Sequence, residues 1–264
     1  MDYLDGPRPR FFAHRGGALE APENTLEAFR SGMEAGADRL EIDVHATSDG
    51  HVVVIHDDTV DRTTDGHGLV RTMTLARLQS LDAGAKFVAD DGTRPFLGRG
   101  VRVPTLAEVL EAFPGVPLNI EIKQNEPAIE AEVLEVLDRF DARKQVLLAA
   151  EVGVIMERIR VAAPDILSGT SLEDGAEFLD LWGRNALDAY RPPGIAFQVP
   201  PNFMDQPLVT KEFVDIAHGK GVEVHVWTID EADEMERLLG LGVDGIMTDR
   251  PTVAAEVFRR LGYR

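Results

Sequence analysis

Acidic residues alternate with an apolar one where an early apolar run of the sequence ends. Glu41 and Asp43 flank Ile42, and residues two apart on a strand point to the same side of a sheet. Two carboxylates in a poorly solvated place repel each other, and a divalent cation between them makes the pair tolerable. The spacing therefore indicates a cation site. The alternative is a solvated acidic pair facing outward on an edge strand.

A second apolar run ends in the same way. LNIEIK, residues 118–123, places Asn119, Glu121 and Lys123 on one face. Glu121 is a candidate third carboxylate ligand, and a ligand set made of oxygen atoms suits Mg²⁺ or Ca²⁺ rather than zinc. Lys123, one step further along, is placed to hold an anion. The alternative is a surface Glu–Lys pair of little energetic consequence.

Two histidines follow apolar runs and stand before polar residues. His14 precedes Arg15 in FFAHRGG, and His56 precedes Asp57. Because imidazole titrates near neutral pH, two histidines beside a cation-bound phosphate would act as general base and general acid. A lone histidine is more often structural, but two at neighbouring strand ends beside a carboxylate cluster favour catalysis. The glycines at 16–17 let the backbone turn sharply or lie close to a ligand.

Three residues in the last quarter of the chain lie near possible strand ends. Two of them are candidate pocket residues, and we expect the third to have no part in catalysis. Trp227 ends the run VHVW, where an indole either stacks on an apolar part of a ligand or packs in the core. His225 shares its face and stays a candidate for the same pocket. Asp249, two residues before Pro251, is typical of a helix N-cap, and we expect it to have no part in catalysis.

The elements that must position these residues alternate between strands and helices. Asn24 and Thr105 begin N-cap patterns with a glutamate three residues later, and glycine ends the helices of 210–221 and 231–242. This alternation implies a parallel sheet. The candidate strands are 11–14, 40–44, 52–56, 118–122, 146–149, 166–169, 194–198, 223–227 and 245–248.

These candidates are one too many for a closed barrel of eight strands. The Asp-Gly pair at 49–50 is a signal for a two-residue hairpin loop. Pairing the two flanking residues puts Asp43 opposite His56 and gathers both with Glu41 on one face. One of the two runs is then an antiparallel extension, and eight barrel strands remain.

Residues 57 to about 104 interrupt the alternation of strands and helices. The segment is rich in Gly, Asp, Thr and Arg, and it is too long for an ordinary connection. We expect it to be an insertion over one end of the barrel, within a single domain of residues 1–264. Chains of this length often form one α/β barrel domain.

Composition excludes several classes of protein. Hydrophobic residues make up 44% and charged residues 28%, as in an ordinary globular protein. The formal net charge of -19 disfavours nucleic acids and anionic membranes, so an anionic small substrate needs local cations. No apolar run approaches the ~20 residues of a membrane span. The N-terminus has no apolar signal region, from which we expect a cytoplasmic enzyme. The absence of cysteine excludes disulfides and thiolate sites.

Taken in order, these motifs resemble the glycerophosphodiester phosphodiesterase family. The matching stretches are AHRGG with APENTLEAF, GADRLEIDVHATSDGHVVVIHDDTVDRTTDGHG, VPTLAEVLEAF, LNIEIK and VWTIDEADEMERLLGLGVDGIMTDRP. Each is short, but their order and spacing over nearly the whole chain are highly specific. The resemblance implies a TIM (β/α)8 barrel with a small insertion after His56, and hydrolysis of glycerophosphodiesters to sn-glycerol 3-phosphate and an alcohol.

The resemblance also implies roles for particular residues. One divalent cation, Mg²⁺ or Ca²⁺, would be held by Glu41, Asp43 and Glu121. The acid–base pair would be His14 and His56. The substrate would be bound by Arg15 and Lys123 at the phosphate and by Trp227 at the glycerol end.

Two places depart from the family's pattern. Relatives often have a Ser-Phe pair at the strand after LNIEIK, where this chain has Ala149, Ala150 and Glu151. Residues 171–207 also contain no motif of the family. Both places would shape the alcohol-binding side, so a lysophospholipase D acting on the same barrel is an alternative. A non-catalytic protein that binds glycerophosphodiesters is another, and the complete set of histidines and carboxylates argues against it.

Overall fold

The computed structural model describes residues 2–264, which alternate between strands and helices. The strands are β1 (Arg10–His14), β2 (Arg39–Ala46), β3 (Val52–Val54), β4 (Leu118–Ile122), β5 (Val146–Ala149), β6 (Leu167–Ser168), β7 (Ala196–Val199), β8 (Asn202–Phe203), β9 (Gln206–Pro207), β10 (Glu223–Val226) and β11 (Gly245–Thr248). The α-helices are α1 (Leu26–Ala35), α2 (Leu75–Leu78), α3 (Leu106–Ala112), α4 (Glu130–Arg139), α5 (Gly153–Ala162), α6 (Leu172–Gly183), α7 (Lys211–Gly219), α8 (Ala232–Leu241) and α9 (Pro251–Arg260).

Eight of the strands are parallel and form a nearly closed barrel. Their order is β6-β5-β4-β2-β1-β11-β10-β7. A parallel bridge between Gly169 and Ala196 links the two ends of this order, and the N–H of Ile195 donates to the carbonyl of Ser168 at 2.8 Å. The predicted TIM (β/α)8 barrel is therefore confirmed.

The hairpin after β2 differs by one residue from the predicted pairing. β3 is antiparallel to β2, as expected, but Val44 pairs with Val54 and Ala46 with Val52. The loop holds three residues rather than two, and Gly50 takes the left-handed conformation at its end (φ 80°). Asp43 consequently lies opposite Ile55, whose N–H donates to the Asp43 carbonyl at 2.9 Å. The predicted placement of His56 opposite Asp43 is wrong.

Helix starts agree with the cap patterns, with one shift. Thr105 and Glu108 form a reciprocal capping box at the start of α3. At α1 the cap is Thr25, whose side chain accepts from the N–H of Ala28, and not Asn24. The Asn24 backbone is left-handed (φ 56°), and its side chain donates to Asp43 instead of capping the helix.

The floor of the barrel, at the amino ends of the strands, is charged and buried. Arg10 and Arg39 are fully buried there with Tyr3 against them. Arg10 Nε donates to Glu223 at 2.7 Å, and His225 Nε2 lies 2.9 Å from the same carboxylate. Since His225 is completely buried in this layer, it lies away from the rim that carries Trp227.

Residues 57–104 pack around a small apolar cluster of their own. Val60, Val70 and Leu78 are fully buried and pack against Val53 and Ile55 of the hairpin. The segment forms the short helix α2 and one turn of 3₁₀-helix. Within residues 2–264, no helix is both long and apolar enough to cross a membrane.

Candidate active site

Three carboxylates meet near the carboxyl ends of adjacent strands. β2 supplies Glu41 and Asp43, and β4 supplies Glu121, which is directly paired with Asp43 in the sheet. One oxygen from each lies within 4.8 Å of the others. Glu41 and Asp43 are buried, whereas Glu121 is half-buried. The alternation of Glu41, Ile42 and Asp43 therefore directs both acids into the barrel and not to an outer face.

Burial and neighbouring charges change the pKa values of the acids in this cluster. Burial and the charge of Asp43 raise the pKa of Glu41 to about 8. Burial would also raise the pKa of Asp43, but Arg15 and Lys123 outweigh it and lower that pKa. The Oδ1 atom of Asp43 is buried without a hydrogen-bond partner. This oxygen forms a 3.4 Å ion pair with Lys123 but no hydrogen bond, and a buried carboxylate oxygen of this kind among three acids fits a hard divalent cation.

Two cationic side chains stand beside the acids. Lys123 Nζ lies 2.7 Å from Glu121 and 3.4 Å from Asp43. Arg15 Nε lies 3.1 Å from Asp43, and the backbone N–H of Arg15 donates to Glu41 at 3.1 Å. Arg15 is left-handed (φ 50°), a conformation that non-glycine residues adopt rarely and often at functional sites.

The glycines after Arg15 make a sharp turn that packs tightly. Gly16 and Gly17 both have positive φ angles, 87° and 109°. A Cβ at Gly16 would lie 2.7 Å from the backbone of Ala28, and one at Gly17 would lie 2.7 Å from Pro251. Their small size therefore lets α1 and α9 close onto the loop that carries His14 and Arg15.

His14 is held by a carboxylate from the other end of the chain. Its Nδ1 lies 2.7 Å from Asp249 Oδ1, and its Nε2 lies 3.7 Å from Glu41. Because a carboxylate only accepts, Nδ1 carries the proton. Burial lowers the pKa of His14, but Glu41 and Asp249 together outweigh burial and raise it. Asp249 is in turn fixed by its own N–H, which donates to Asp230 at 2.8 Å.

This arrangement corrects the expected role of Asp249. Pro251 is the first residue of α9, as predicted, but the N-cap position is Arg250 and no side chain caps the helix. The acid that resembled a cap instead orients His14.

His56 is held in the same manner by its sequence neighbour. Its Nδ1 lies 2.7 Å from Asp57 Oδ1, and its carbonyl accepts from His45 Nε2 at 3.0 Å. Arg62 donates to both oxygens of Asp57, and these bonds hold the pKa of Asp57 well below its usual range. Arg62 also donates to Glu23 at 2.8 Å.

Both histidines open onto one cavity of about 790 Å³. The predicted site residues that line it are His14, Arg15, His56, Glu121, Lys123 and Trp227. Glu41 and Asp43 belong to the carboxylate cluster with Glu121. Trp227 keeps 40% of its surface exposed at the cavity.

Asn24 and Asp249 are two of the residues around the site that were not predicted from the sequence to take part in it. Asn24 Nδ2 donates to Asp43 at 2.9 Å, and Asp249 orients His14. In each case the sequence pattern was interpreted as a helix N-cap, and that interpretation gave no reason to expect a role in the site. The signal that remains is the position of Asp249 directly after the last barrel strand, because functional residues of such barrels lie at the carboxyl ends of the strands.

Comparisons with known proteins agree with this geometry. The model of the "Glycerophosphoryl diester phosphodiesterase family" matches residues 14–253. A glycerophosphodiester phosphodiesterase of Caldanaerobacter subterraneus is 36% identical, with 95% of this chain and 98% of the relative covered. The glycerophosphoryl diester phosphodiesterase domain of a Mycobacterium tuberculosis protein superposes with a TM-score of 0.82 at 24% identity, covering 96% and 99% of the two chains.

One similar structure contains a reaction product. A phosphodiesterase from Oleispira antarctica in complex with the product sn-glycerol-3-phosphate superposes with a TM-score of 0.78 at 27% identity, covering 96% of this chain and 97% of the other. The family model and the relatives span nearly the whole chain. The chain therefore belongs to the glycerophosphoryl diester phosphodiesterase family.

Proposed function

We propose that the protein hydrolyses glycerophosphodiesters to sn-glycerol 3-phosphate and an alcohol, using one divalent cation and the pair His14 and His56. The observation that carries the proposal is the symmetry of the two histidines. In each, Nδ1 is 2.7 Å from an aspartate oxygen, so Nε2, which in His14 lies 3.7 Å from Glu41, is the nitrogen that would meet the substrate. The product-bound relative supports sn-glycerol 3-phosphate as the product.

The cation would be held by Glu41, Asp43 and Glu121. When bound, it neutralises phosphate charge and polarises a phosphoryl oxygen. Mg²⁺ and Ca²⁺ both suit such oxygen ligands. Arg15 and Lys123 would bind the remaining phosphate oxygens, because they are the cations beside the cluster. Together these groups would stabilise the charge that develops on the phosphoryl oxygens.

The histidines would move the protons. One takes a proton from the nucleophile, and the other gives a proton to the alkoxide that leaves phosphorus. The nucleophile is water or a neighbouring hydroxyl of the glycerol, and the latter gives a cyclic phosphate that water then opens. Asp249 and Asp57 would hold the imidazoles in the required tautomer, as carboxylates do for catalytic histidines elsewhere.

We also propose that residues 1–264 act as one domain, with 57–104 as its insertion. The insertion would contribute to the site through Asp57 and Arg62, whose bonds fix His56. Trp227 would pack against the glycerol end of the substrate, since its exposed face borders the cavity. A protein that only binds glycerophosphodiesters would not need two oriented histidines beside three acids.

The test is the hydrolysis of glycerophosphocholine by His14→Ala and His56→Ala, followed as release of sn-glycerol 3-phosphate. General acid–base groups contribute about 10²- to 10⁴-fold, so each variant is expected to lose at least ~100-fold in kcat. The exposed His51→Ala is the matched control and keeps the wild-type rate. Wild-type rates in both site variants would refute the assignment.

A further inference from the structure

A glutamate in the loop between β1 and α1, Glu23, binds two arginines from different parts of the chain. Its Oε1 accepts from Arg15 Nη1 at 3.2 Å and from Arg62 Nη2 at 2.8 Å, and its Oε2 accepts from Arg62 Nη1 at 2.5 Å. Only 13% of the Glu23 side chain is exposed. Because Arg15 follows the first barrel strand and Arg62 belongs to the insertion, this carboxylate joins the barrel to the insertion.

Arg62 extends these contacts to a histidine of the site. Its Nε donates to Asp57 Oδ2 at 2.8 Å and its Nη2 to Asp57 Oδ1 at 3.0 Å. Asp57 Oδ1 lies 2.7 Å from His56 Nδ1. The side chains of Arg15, Glu23, Arg62, Asp57 and His56 therefore form one unbroken series of charge-assisted contacts.

At the other end of this series, Glu23 fixes the guanidinium of Arg15. Nη1 donates to Glu23, and Nε lies 3.1 Å from Asp43. A guanidinium is a rigid plane, so these two contacts also set the direction of Nη2. Among residues 2–264 no protein group accepts from Nη2, and Arg15 lines the cavity. Nη2 is therefore the group of this side chain that can donate to a phosphate.

Positive and negative groups alternate along the series. Each arginine lies between carboxylates, and such hydrogen-bonded networks stabilise an arrangement more than isolated surface pairs do. Arg15 and His56 reach the cavity from separate loops, and reacting groups must be held within a fraction of an ångström for efficient catalysis. Without the carboxylate of Glu23, nothing in the series would connect the two loops.

We propose that Glu23 is a positioning residue that couples the phosphate-binding Arg15 to the acid–base residue His56, a proposal that rests on the function proposed above. Glu23 itself does not line the cavity, so it acts through Arg15 at one end and through Arg62 and Asp57 at the other. A change at Glu23 should disturb both phosphate binding and proton transfer. A change at Arg62 should disturb mainly proton transfer, because Arg15 keeps its bond to Glu23.

The experiment measures, with Mg²⁺ or Ca²⁺ present, kcat for glycerophosphocholine and the inhibition constant of inorganic phosphate. Glu23→Gln keeps the size of the side chain but turns an amide NH₂ group towards an arginine. Its kcat is expected to fall about tenfold or more and its phosphate inhibition constant to rise about threefold or more. Arg62→Ala should lose about as much kcat with a phosphate inhibition constant within about twofold of the wild type.

The double variant tests whether the two residues act in one series. Residues of one network give losses that do not multiply, so the double variant should stay within about threefold of the kcat of Arg62→Ala. Glu27→Gln is the matched control, since Glu27 forms an exposed pair with Arg30 at 3.9 Å. This control should keep the wild-type kcat and phosphate inhibition constant.

Three results would overturn the coupling while hydrolysis by the wild type leaves the proposed function standing. They are a wild-type phosphate inhibition constant in Glu23→Gln, losses of kcat that multiply in the double variant, and a lower Tm of Glu23→Gln with unchanged kinetics. If the wild type hydrolyses no glycerophosphodiester, the proposed function fails. Calorimetry with inorganic phosphate then still decides the hold on Arg15, which weaker binding by Glu23→Gln supports and equal binding overturns.

Discussion

His14 and Asp249, 235 residues apart in the chain, are joined by a 2.7 Å contact between Nδ1 and Oδ1. The pairing of β1 with β11 makes the contact possible, because it closes the first and last strands of the barrel onto each other. Asp230 fixes Asp249 in turn through the backbone N–H. The orientation of His14 therefore depends on the barrel being complete.

Asp249→Asn is expected to lower kcat for glycerophosphocholine by about 100-fold or more, with a small effect on KM, because the amide no longer fixes the tautomer of His14. Losing the aspartate charge also lowers the pKa of His14, so the limb of the pH–rate profile that reports His14 moves to lower pH. Steady-state kinetics between pH 5 and pH 9 measure both effects.

The control for this variant is Asp61→Asn. It removes the aspartate charge from an exposed contact, 3.1 Å, between Asp61 and His67 and should change neither kcat nor the profile. A lower kcat in Asp249→Asn with an unmoved profile would mean that Asp249 has only a structural role.

Glu41→Gln is expected to abolish stabilisation by the metal. A ligand at 100 times its Kd stabilises a folded protein by about 2.7 kcal/mol, so Mg²⁺ or Ca²⁺ should raise the Tm of the wild type but not of the variant. Without metal at pH 8, the variant should be at least as stable as the wild type, since the amide removes repulsion with Asp43. The exposed Glu157→Gln should respond to metal like the wild type, and an equal response in Glu41→Gln would count against the site.

His225 should make the protein less stable in acid. Burial lowers its pKa despite the nearby charge of Glu223, so below about pH 6.5 the unfolded chain binds a proton that the native one does not. Stability therefore falls as the pH drops from about 6.5 towards the native pKa, by at most about 1.4 kcal/mol per pH unit for one proton. Arg10, beside the same carboxylate, opposes charging of the imidazole further.

His225→Gln should accordingly show a smaller loss of unfolding free energy between pH 7.5 and pH 5.5 than the wild type. Urea unfolding at the two pH values measures this difference, and the exposed His51→Gln should keep the wild-type slope. Equal slopes in His225→Gln and the wild type would show that His225 is not buried in its neutral form.

The site residues that could be predicted from the sequence are those whose positions depend only on the alternation of side chains along a strand. Glu41, Asp43 and Glu121 are brought together because residues two apart on parallel strands must face the same way. The position of His56 depended on the hairpin register, and the loop took a third residue that the Asp-Gly pattern did not reveal. His56 nevertheless lines the cavity, because β3 runs antiparallel to β2 and brings Ile55, the residue before His56, opposite Asp43.

Features that depend on distant contacts could not be predicted in this way. Asn24 and Asp249 stand next to helix starts, and local capping explained them well enough to hide their contacts with Asp43 and His14. The apolar side of the cavity combines residues of β5, α6 and β7, and its width depends on which residues of these elements are small. The charged floor of the barrel similarly requires Arg10 and Glu223, more than 200 residues apart, to meet.

The most direct test of the account is the release of sn-glycerol 3-phosphate from glycerophosphocholine by metal-free wild-type protein before and after Mg²⁺ or Ca²⁺ is added. We predict no release in chelator, release when one of the two cations is restored, and none from Glu41→Gln with either. Undiminished release in chelator, or wild-type release by Glu41→Gln, would contradict the claim that the three carboxylates hold a catalytic cation.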